Sequence, residues 1–294
     1  MNLLVTGASG QLGSELGRLL WPAGTKLIKY GHKELDITDR GSVAAAITPT
    51  VDVVINAAAY TGVDRAESER ESAWGVNVEG PTVLADRCAA HGIPLIHFST
   101  DYVFDGKRTT PYREDDETHP LNHYGATKLR GEIVLRERLR EHIIVRTASV
   151  FSEFGNNFVK AILRIGAERK TLNVVSDQYS CPTAARDLAA TVPVMLAEIA
   201  SGRGEPWGIY HFCGQPPVTW FDFASEVFNA ASKYGVPIPE LRRIRADEYP
   251  GAAVRPRYSA MDCSRISKTF GVQESGWADG VPAVVTAMVS GGKS

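Results

Sequence analysis

Tyr124-Gly125-Ala126-Thr127-Lys128 puts a phenol and an amine four residues apart. On a helix that spacing sets both on one face, about one turn apart. A carbonyl that receives hydride needs a proton on its developing alkoxide. A phenol with an ordinary pKa near 10 exchanges protons poorly at neutral pH unless a nearby cation favours its anion. Lys128 is the expected cation, and its ammonium can also hydrogen-bond a cofactor ribose. Alone the pattern is weak, because most such pairs are solvated helix residues. Thr100, in Ser99-Thr100-Asp101-Tyr102, adds a second hydroxyl at the end of an apolar run that reads as a strand. The carboxyl ends of parallel strands are where ligands bind in open α/β sheets. Thr100 is expected to hydrogen-bond a substrate carbonyl beside Tyr124; the bland alternative is a strand cap.

Chemistry by hydride transfer needs a dinucleotide, and the chain opens with a loop able to hold one. Gly7-Ala8-Ser9-Gly10-Gln11-Leu12-Gly13 follows the apolar run Leu3-Leu4-Val5 and leads into a helical pattern. Position between strand and helix is what makes such a loop informative. Gly7 permits the tight turn, Gly10 lets backbone approach a pyrophosphate, and Gly13 allows close packing of helix on sheet. The helix N-terminus then offers unpaired N–H groups to phosphate. A glycine-rich turn without a ligand is the alternative. At the end of the second strand an acid would bind the adenosine 2′-hydroxyl. Lys29-Tyr30-Gly31-His32-Lys33 has none. Lys33, or protonated His32, can meet a 2′-phosphate, so NADPH is the expected cofactor, with NADH left open.

The elements that must carry these groups alternate. Strands are expected at Leu3–Val5, Lys26–Ile28, Val51–Asn56, Ile93–Ser99 and Ile143–Val145. Between them lie helices at Gln11–Leu20, with Leu12, Leu16, Leu19 and Leu20 inward, at Asp39 or Ser42 to Ile47, at Glu71–His91 and at Tyr124–Arg140. Alternation of this kind implies a Rossmann-type doubly wound parallel sheet of the α/β class with right-handed crossovers. After about residue 150 the rhythm loosens, with helices at Asn157–Glu168, Ala185–Ala200 and Phe221–Tyr234. The expected division is a NAD(P)-binding domain of 1-147 with 184-215, and a smaller, mostly C-terminal substrate-binding domain of 148-183 with 216-294. Arginines 242, 243, 245, 255 and 257 make a basic, proline-interrupted stretch, either a solvated loop or an anion contact.

Composition narrows the partners. At 44% hydrophobic and 22% charged, the 294 residues can bury a large core. A net charge of -2 argues against a nucleic-acid binder that works through a broad basic surface. No window nears the roughly 20 apolar residues of a membrane span. Cys88, Cys181, Cys213 and Cys263 lie far apart and are expected to be small buried hydrophobes, in keeping with a cytoplasmic location.

Several blocks together resemble the dTDP-4-dehydrorhamnose reductases, a family of the extended short-chain dehydrogenase/reductase type. They are Thr6-Gly7-x-x-Gly10-Gln11-Leu12-Gly13, Asn56-Ala57-Ala58-Ala59-Tyr60-Thr61, Val63-Asp64-x-Ala66-Glu67, Ser99 through Gly106, Pro120-Leu121-Asn122-x-Tyr124-Gly125-x-x-Lys128, Asn156-Asn157-Phe158 and Asp177-Gln178-Tyr179-x-x-Pro182-Thr183. The resemblance implies hydride transfer from reduced nicotinamide to C4 of dTDP-4-dehydro-L-rhamnose, giving dTDP-L-rhamnose, with Thr100, Tyr124 and Lys128 catalytic. It further implies cofactor contacts from Gly10, Gln11, Leu12, Asp36, Ile37, Ala59, Tyr60 and Thr61. On the nucleotide-sugar side it implies Thr100, Asp101 and Arg255. Where the family commonly carries a tryptophan against the sugar, this chain has Ser149, which motivates a different 4-keto-6-deoxysugar as the alternative substrate. The methionine adenosyltransferase β subunit, a regulatory relative, offers a non-catalytic alternative, against which the retained Thr100, Tyr124 and Lys128 speak. Some members dimerise through magnesium held by glutamates. Glu15 matches one such position but Arg186 replaces another, so no metal is expected, and a homodimer is left open.

Overall fold

The computed structural model describes residues 1–202 and 204–291. Its centre is a six-stranded parallel sheet. Five strands are β1 (Asn2–Thr6), β2 (Lys26–Tyr30), β3 (Val53–Asn56), β4 (Leu95–Thr100) and β5 (His142–Thr147). With the strand Gly208–His211 they lie in the order Gly208–His211, β5, β4, β3, β1, β2. β3, β4 and β5 are buried at every position, as expected for strands covered on both faces. Strand order reverses at β1, which pairs with both β2 and β3. A crevice opens at the carboxyl ends at such a reversal.

Helices α1 (Gln11–Arg18), α2 (Arg40–Ala46), α3 (Arg70–Trp74), α4 (Gly80–His91) and α5 (His123–Arg138) follow the strands in turn. Asp39 caps α2 by accepting from Ser42 N. The helix expected over Glu71–His91 is instead α3 and α4 joined by a wider π turn at Gly75–Glu79. α1 stops at Arg18, where Leu19 turns extended, so Leu20 is 99% exposed rather than inward. A separate apolar core gathers Phe151, Val159, Leu163, Phe223, Phe228 and Val285 from the later half of the chain. Beside it Glu240–Ile244 pairs parallel with Thr171–Val175, so the start of the arginine-rich stretch is a strand, not a loop. Arg242, Arg243 and Arg245 pair with Glu240, Asp222 and Asp247. Among the described residues no helix is long and apolar enough to cross a membrane.

Two close approaches fix α5, which carries Tyr124 and Lys128. A Cβ on Gly125 would sit 2.2 Å from Tyr102 O, and one on Gly131 would sit 2.2 Å from Asn77 O. The helix therefore lies directly on its neighbours. Below it, the buried Glu132 carboxylate accepts from Arg146 Nη2 at 2.7 Å and Nε at 3.0 Å, tying α5 to β5. Glu132→Ala leaves that guanidinium buried without its carboxylate. Folding stability is expected to fall by about 3–5 kcal/mol, measured as a lower urea midpoint; an unchanged midpoint would show that the pair does not hold the helix.

Candidate active site

The glycine loop leaves β1 with Gly7 at φ +66°, and a Cβ there would lie 2.5 Å from Ala58 N. Gly13 is as tightly placed, with its Cβ position 2.3 Å from Gly7 O. The first and third glycines are thus required by the chain's own packing. Gly10 differs: only Gly7 O comes near its Cβ position, at 3.2 Å. Gly10 is the N-cap of α1 and supplies no side-chain acceptor. A backbone left open at a helix N-terminus fits a pyrophosphate.

Around this loop the other residues expected at a cofactor have varied surroundings. Leu12 turns into the core, leaving its backbone at the loop. Gln11 Oε1 accepts from Asn157 Nδ2 at 2.9 Å, joining the loop to the later part of the chain. Asp36 is exposed and accepts from Thr38 N at 2.9 Å and from its hydroxyl at 2.8 Å, which holds the carboxyl below its ordinary range. Ile37 is buried against Gly80. Ala59 and Tyr60 are half-buried and Thr61 exposed, in the turn after β3. The acid missing from residues 29–33 comes one step later: Glu34 Oε2 lies 2.8 Å from the Cβ position of Gly31, with Ser9 Oγ at 3.2 Å from the same point.

At the ends of β4 and α5 the reactive groups come together. Asn122 caps α5 by accepting from Gly125 N at 2.8 Å and donates to Val254 O at 2.8 Å. The Tyr124 ring packs edge-on against Tyr102, two residues after Thr100 in the chain, with 5.8 Å between centroids. Burial pushes that phenol up to about 12, while the Thr100 contact draws it down. Thr100 Oγ1 accepts from Tyr102 N and donates to Asp101 Oδ1, each at 3.1 Å. Asp101 is buried and raised to about 6 by desolvation, against the pull of the Ser259 hydroxyl donating at 2.5 Å. Lys128 lies one helical turn from Tyr124 on α5 and is buried. Its Nζ donates to Phe98 O at 2.7 Å, and burial brings it down to about 8. A buried amine one helical turn from a half-buried phenol, with the glycine loop at the carboxyl end of the same sheet, suits proton and hydride chemistry on a carbonyl.

This arrangement has relatives. The family model described as RmlD substrate binding domain matches residues 1–290. A dTDP-4-dehydrorhamnose reductase of Aggregatibacter actinomycetemcomitans is 43% identical over 94% of this chain and 95% of its own. The crystal structure of such a reductase from Clostridium acetobutylicum superposes with TM-score 0.89 at 34% identity, covering 98% of this chain and 99% of that one. Another, from Bacillus anthracis in complex with NADP, gives 0.86 at 33% over 97% and 98%. The chain belongs to the dTDP-4-dehydrorhamnose reductase family.

Within that family the departures can be located. Ser149 is the one non-glycine residue with positive φ among those described, at 46°, and its hydroxyl lies 2.8 Å from Ser180 Oγ. Arg255 is clamped by Asp64, at 2.6 and 3.2 Å. Asp64 also accepts from Ala253 N at 3.0 Å, so its carboxyl is held below the ordinary range in spite of burial. Glu15 accepts from Ser152 Oγ at 3.0 Å, and Arg186 pairs with Asp187 at 3.2 Å.

One positioning residue escaped the sequence reading. Asn77, in the π turn, accepts from Tyr60 N at 2.9 Å and donates to Tyr60 O and Thr127 Oγ1, both at 3.1 Å. It fastens the turn after β3 to α5. Asn77→Ala is expected to weaken dinucleotide binding by about tenfold, the scale of one or two net hydrogen bonds, with a smaller effect on kcat. Calorimetric titration with NADPH measures it; unchanged affinity would separate Asn77 from that turn's geometry.

Proposed function

We propose that this chain reduces the C4 ketone of dTDP-4-dehydro-L-rhamnose to dTDP-L-rhamnose, with NADPH as hydride donor. The observation that carries the reading is Thr100 at the end of β4 beside the helix that bears Tyr124 and a buried Lys128, whose amine donates to Phe98 O of β4, in a member of this reductase family. Reduced nicotinamide supplies the hydride when bound. Gly7, Gly10, Gln11, Leu12 and Gly13 would hold its pyrophosphate through backbone N–H groups. Asp36, Ile37, Ala59, Tyr60 and Thr61 would line the remainder.

On the sugar side, Thr100 and Tyr124 orient the carbonyl oxygen, and the phenol gives its proton to the forming alkoxide. Lys128, charged, would hold the ribose and favour the resulting phenolate. Thr100's single proton is donated to Asp101. Turning it toward a ketone therefore requires that bond to open or Asp101 to be protonated. Asp101 and Ser149 would face the sugar and Arg255 the nucleotide diphosphate, for which it must exchange Asp64. The division into 1-147 with 184-215 and 148-183 with 216-294 is part of the proposal, as are a cytoplasmic location and a homodimer.

A coupled assay supplying dTDP-4-dehydrorhamnose with NADPH tests the reaction. Nicotinamide oxidation with rhamnose formation supports it. Oxidation without rhamnose would mean hydride delivered to the opposite face of C4. No oxidation points to another 4-keto-6-deoxysugar, the reading that Ser149 favours, or to a binding role, which the same assay with other 4-keto sugars separates. Tyr124→Phe is expected to cut turnover by about 10²-fold or more, the scale of a lost general acid, with NADPH affinity nearly intact; undiminished turnover would remove the phenol from the mechanism. For cofactor choice, Lys33→Ala should weaken NADPH more than NADH, and Glu34→Ala should favour NADPH, because the carboxylate beside Gly31 repels a 2′-phosphate. Equal effects on both cofactors in both variants would show that neither side chain reads the ribose.

A further inference from the structure

Beneath the reactive groups a row of buried polar side chains crosses the sheet. The pairing register sets Thr6 of β1 beside Asn56 of β3, and Asn56 beside His97 of β4. Ala58 N donates to Asn56 Oδ1 at 3.1 Å, and the Thr6 hydroxyl lies 2.6 Å from the same oxygen. A backbone N–H can only donate, so the orientation of this amide is decided. Its NH2 group faces His97 Nδ1 at 2.9 Å. Nδ1 must then accept, and a neutral His97 carries its proton on Nε2.

That Nε2 lies 3.4 Å from Lys128 Nζ, while Nζ donates to Phe98 O at 2.7 Å. An ammonium would turn N–H against the ring's N–H. A neutral amine accepts from Nε2–H and still donates to the Phe98 carbonyl, which satisfies every group. We propose that His97, its tautomer locked by Asn56, is a positioning residue that holds the Lys128 amine at the Phe98 carbonyl and sets the pH range in which it becomes charged. The inference rests on the reductase reading only for its link to turnover.

The surrounding charges agree with this assignment. Burial, then the nearness of Lys128, then His142 of β5 keep His97 well below its ordinary value, so His97 stays neutral. Glu132, one turn further along α5, favours the Lys128 ammonium, but that carboxylate is shared with Arg146 of β5. Tyr124 lies one turn back on the same helix. His97 thus supplies what the other elements do not: a fixed donor aimed at the amine.

Asn56→Asp reverses the row. One carboxylate oxygen keeps the Ala58 N–H, the other accepts a hydrogen bond from Nδ1–H, and Nε2 is left to accept from an ammonium. The 13Cε shift of Lys128, titrated in the cofactor-free protein, should then show a midpoint raised by about one pH unit, and the alkaline limb of kcat/KM should move with it. His97→Gln, whose amide can accept from Asn56 and donate toward Lys128, should leave the midpoint near that of the wild type. His97→Leu, without the donor, should raise it. Ring 15N shifts of the wild-type protein read the tautomer directly and need no variant to fold. An Nδ1–H ring, or an unmoved Lys128 midpoint in folded Asn56→Asp, would overturn the assignment. Failure of the wild type to reduce dTDP-4-dehydrorhamnose would sink the functional reading instead, and both NMR readouts would still decide the role of His97.

Discussion

Burial of polar groups inside the sheet is the constraint on which the site depends. Thr6, Asn56 and His97 sit side by side on three neighbouring strands, each buried. A buried donor or acceptor left alone costs about 1–3 kcal/mol, so each of these groups has one acceptable orientation. The row ends at Lys128, the amine under the proposed reaction centre. Gly7 must pass against Ala57 and Ala58 to bring the phosphate loop over the same floor. The floor of the crevice is therefore rigid before any ligand arrives, which is the preorganisation that charge stabilisation in a transition state requires.

The opposite wall is joined to that floor by a few long-range contacts. Gln11 to Asn157 connects the glycine loop to the helix that opens the later part of the chain. Ser259 to Asp101 connects the end of β4 to the segment carrying Arg255. The Asp64 clamp holds Arg255 itself. The Arg255 pair is partly exposed, at 20% and 41% of its two side chains. Asp64 also accepts from Ala253 N, so the clamp fixes the backbone before Arg255 as well as its guanidinium.

What could be read from the chain follows from the range of each interaction. The alternation of strands and helices, the glycine loop and the Tyr124–Lys128 spacing are local patterns, and their elements form where periodicity puts them. Leu20 was misplaced because a helical period does not announce where the helix stops. The Gly75–Glu79 π turn was hidden for a similar reason, since helical spacing continues on both sides of it. Asn77 to Tyr60, His97 to Lys128 and Asp64 to Arg255 span from 17 to 191 residues. Such pairs carry no sequence signature of their own, and only the fold brings them together. The environment of Lys128 is the instructive case: spacing puts it one turn from Tyr124 on α5, while the Phe98 carbonyl that accepts from its amine lies on β4, 30 residues away.

The account stands on hydride delivery to one carbon of the sugar under the Thr100–Tyr124 pair. Incubating the enzyme with dTDP-4-dehydrorhamnose and NADPH deuterated at the transferring C4 position, then locating the label by NMR, tests this most directly. Deuterium at C4 of the sugar, in a single configuration and with rhamnose as product, is the predicted result. Label retained on the nicotinamide, or appearing at any other carbon of the sugar, would contradict it.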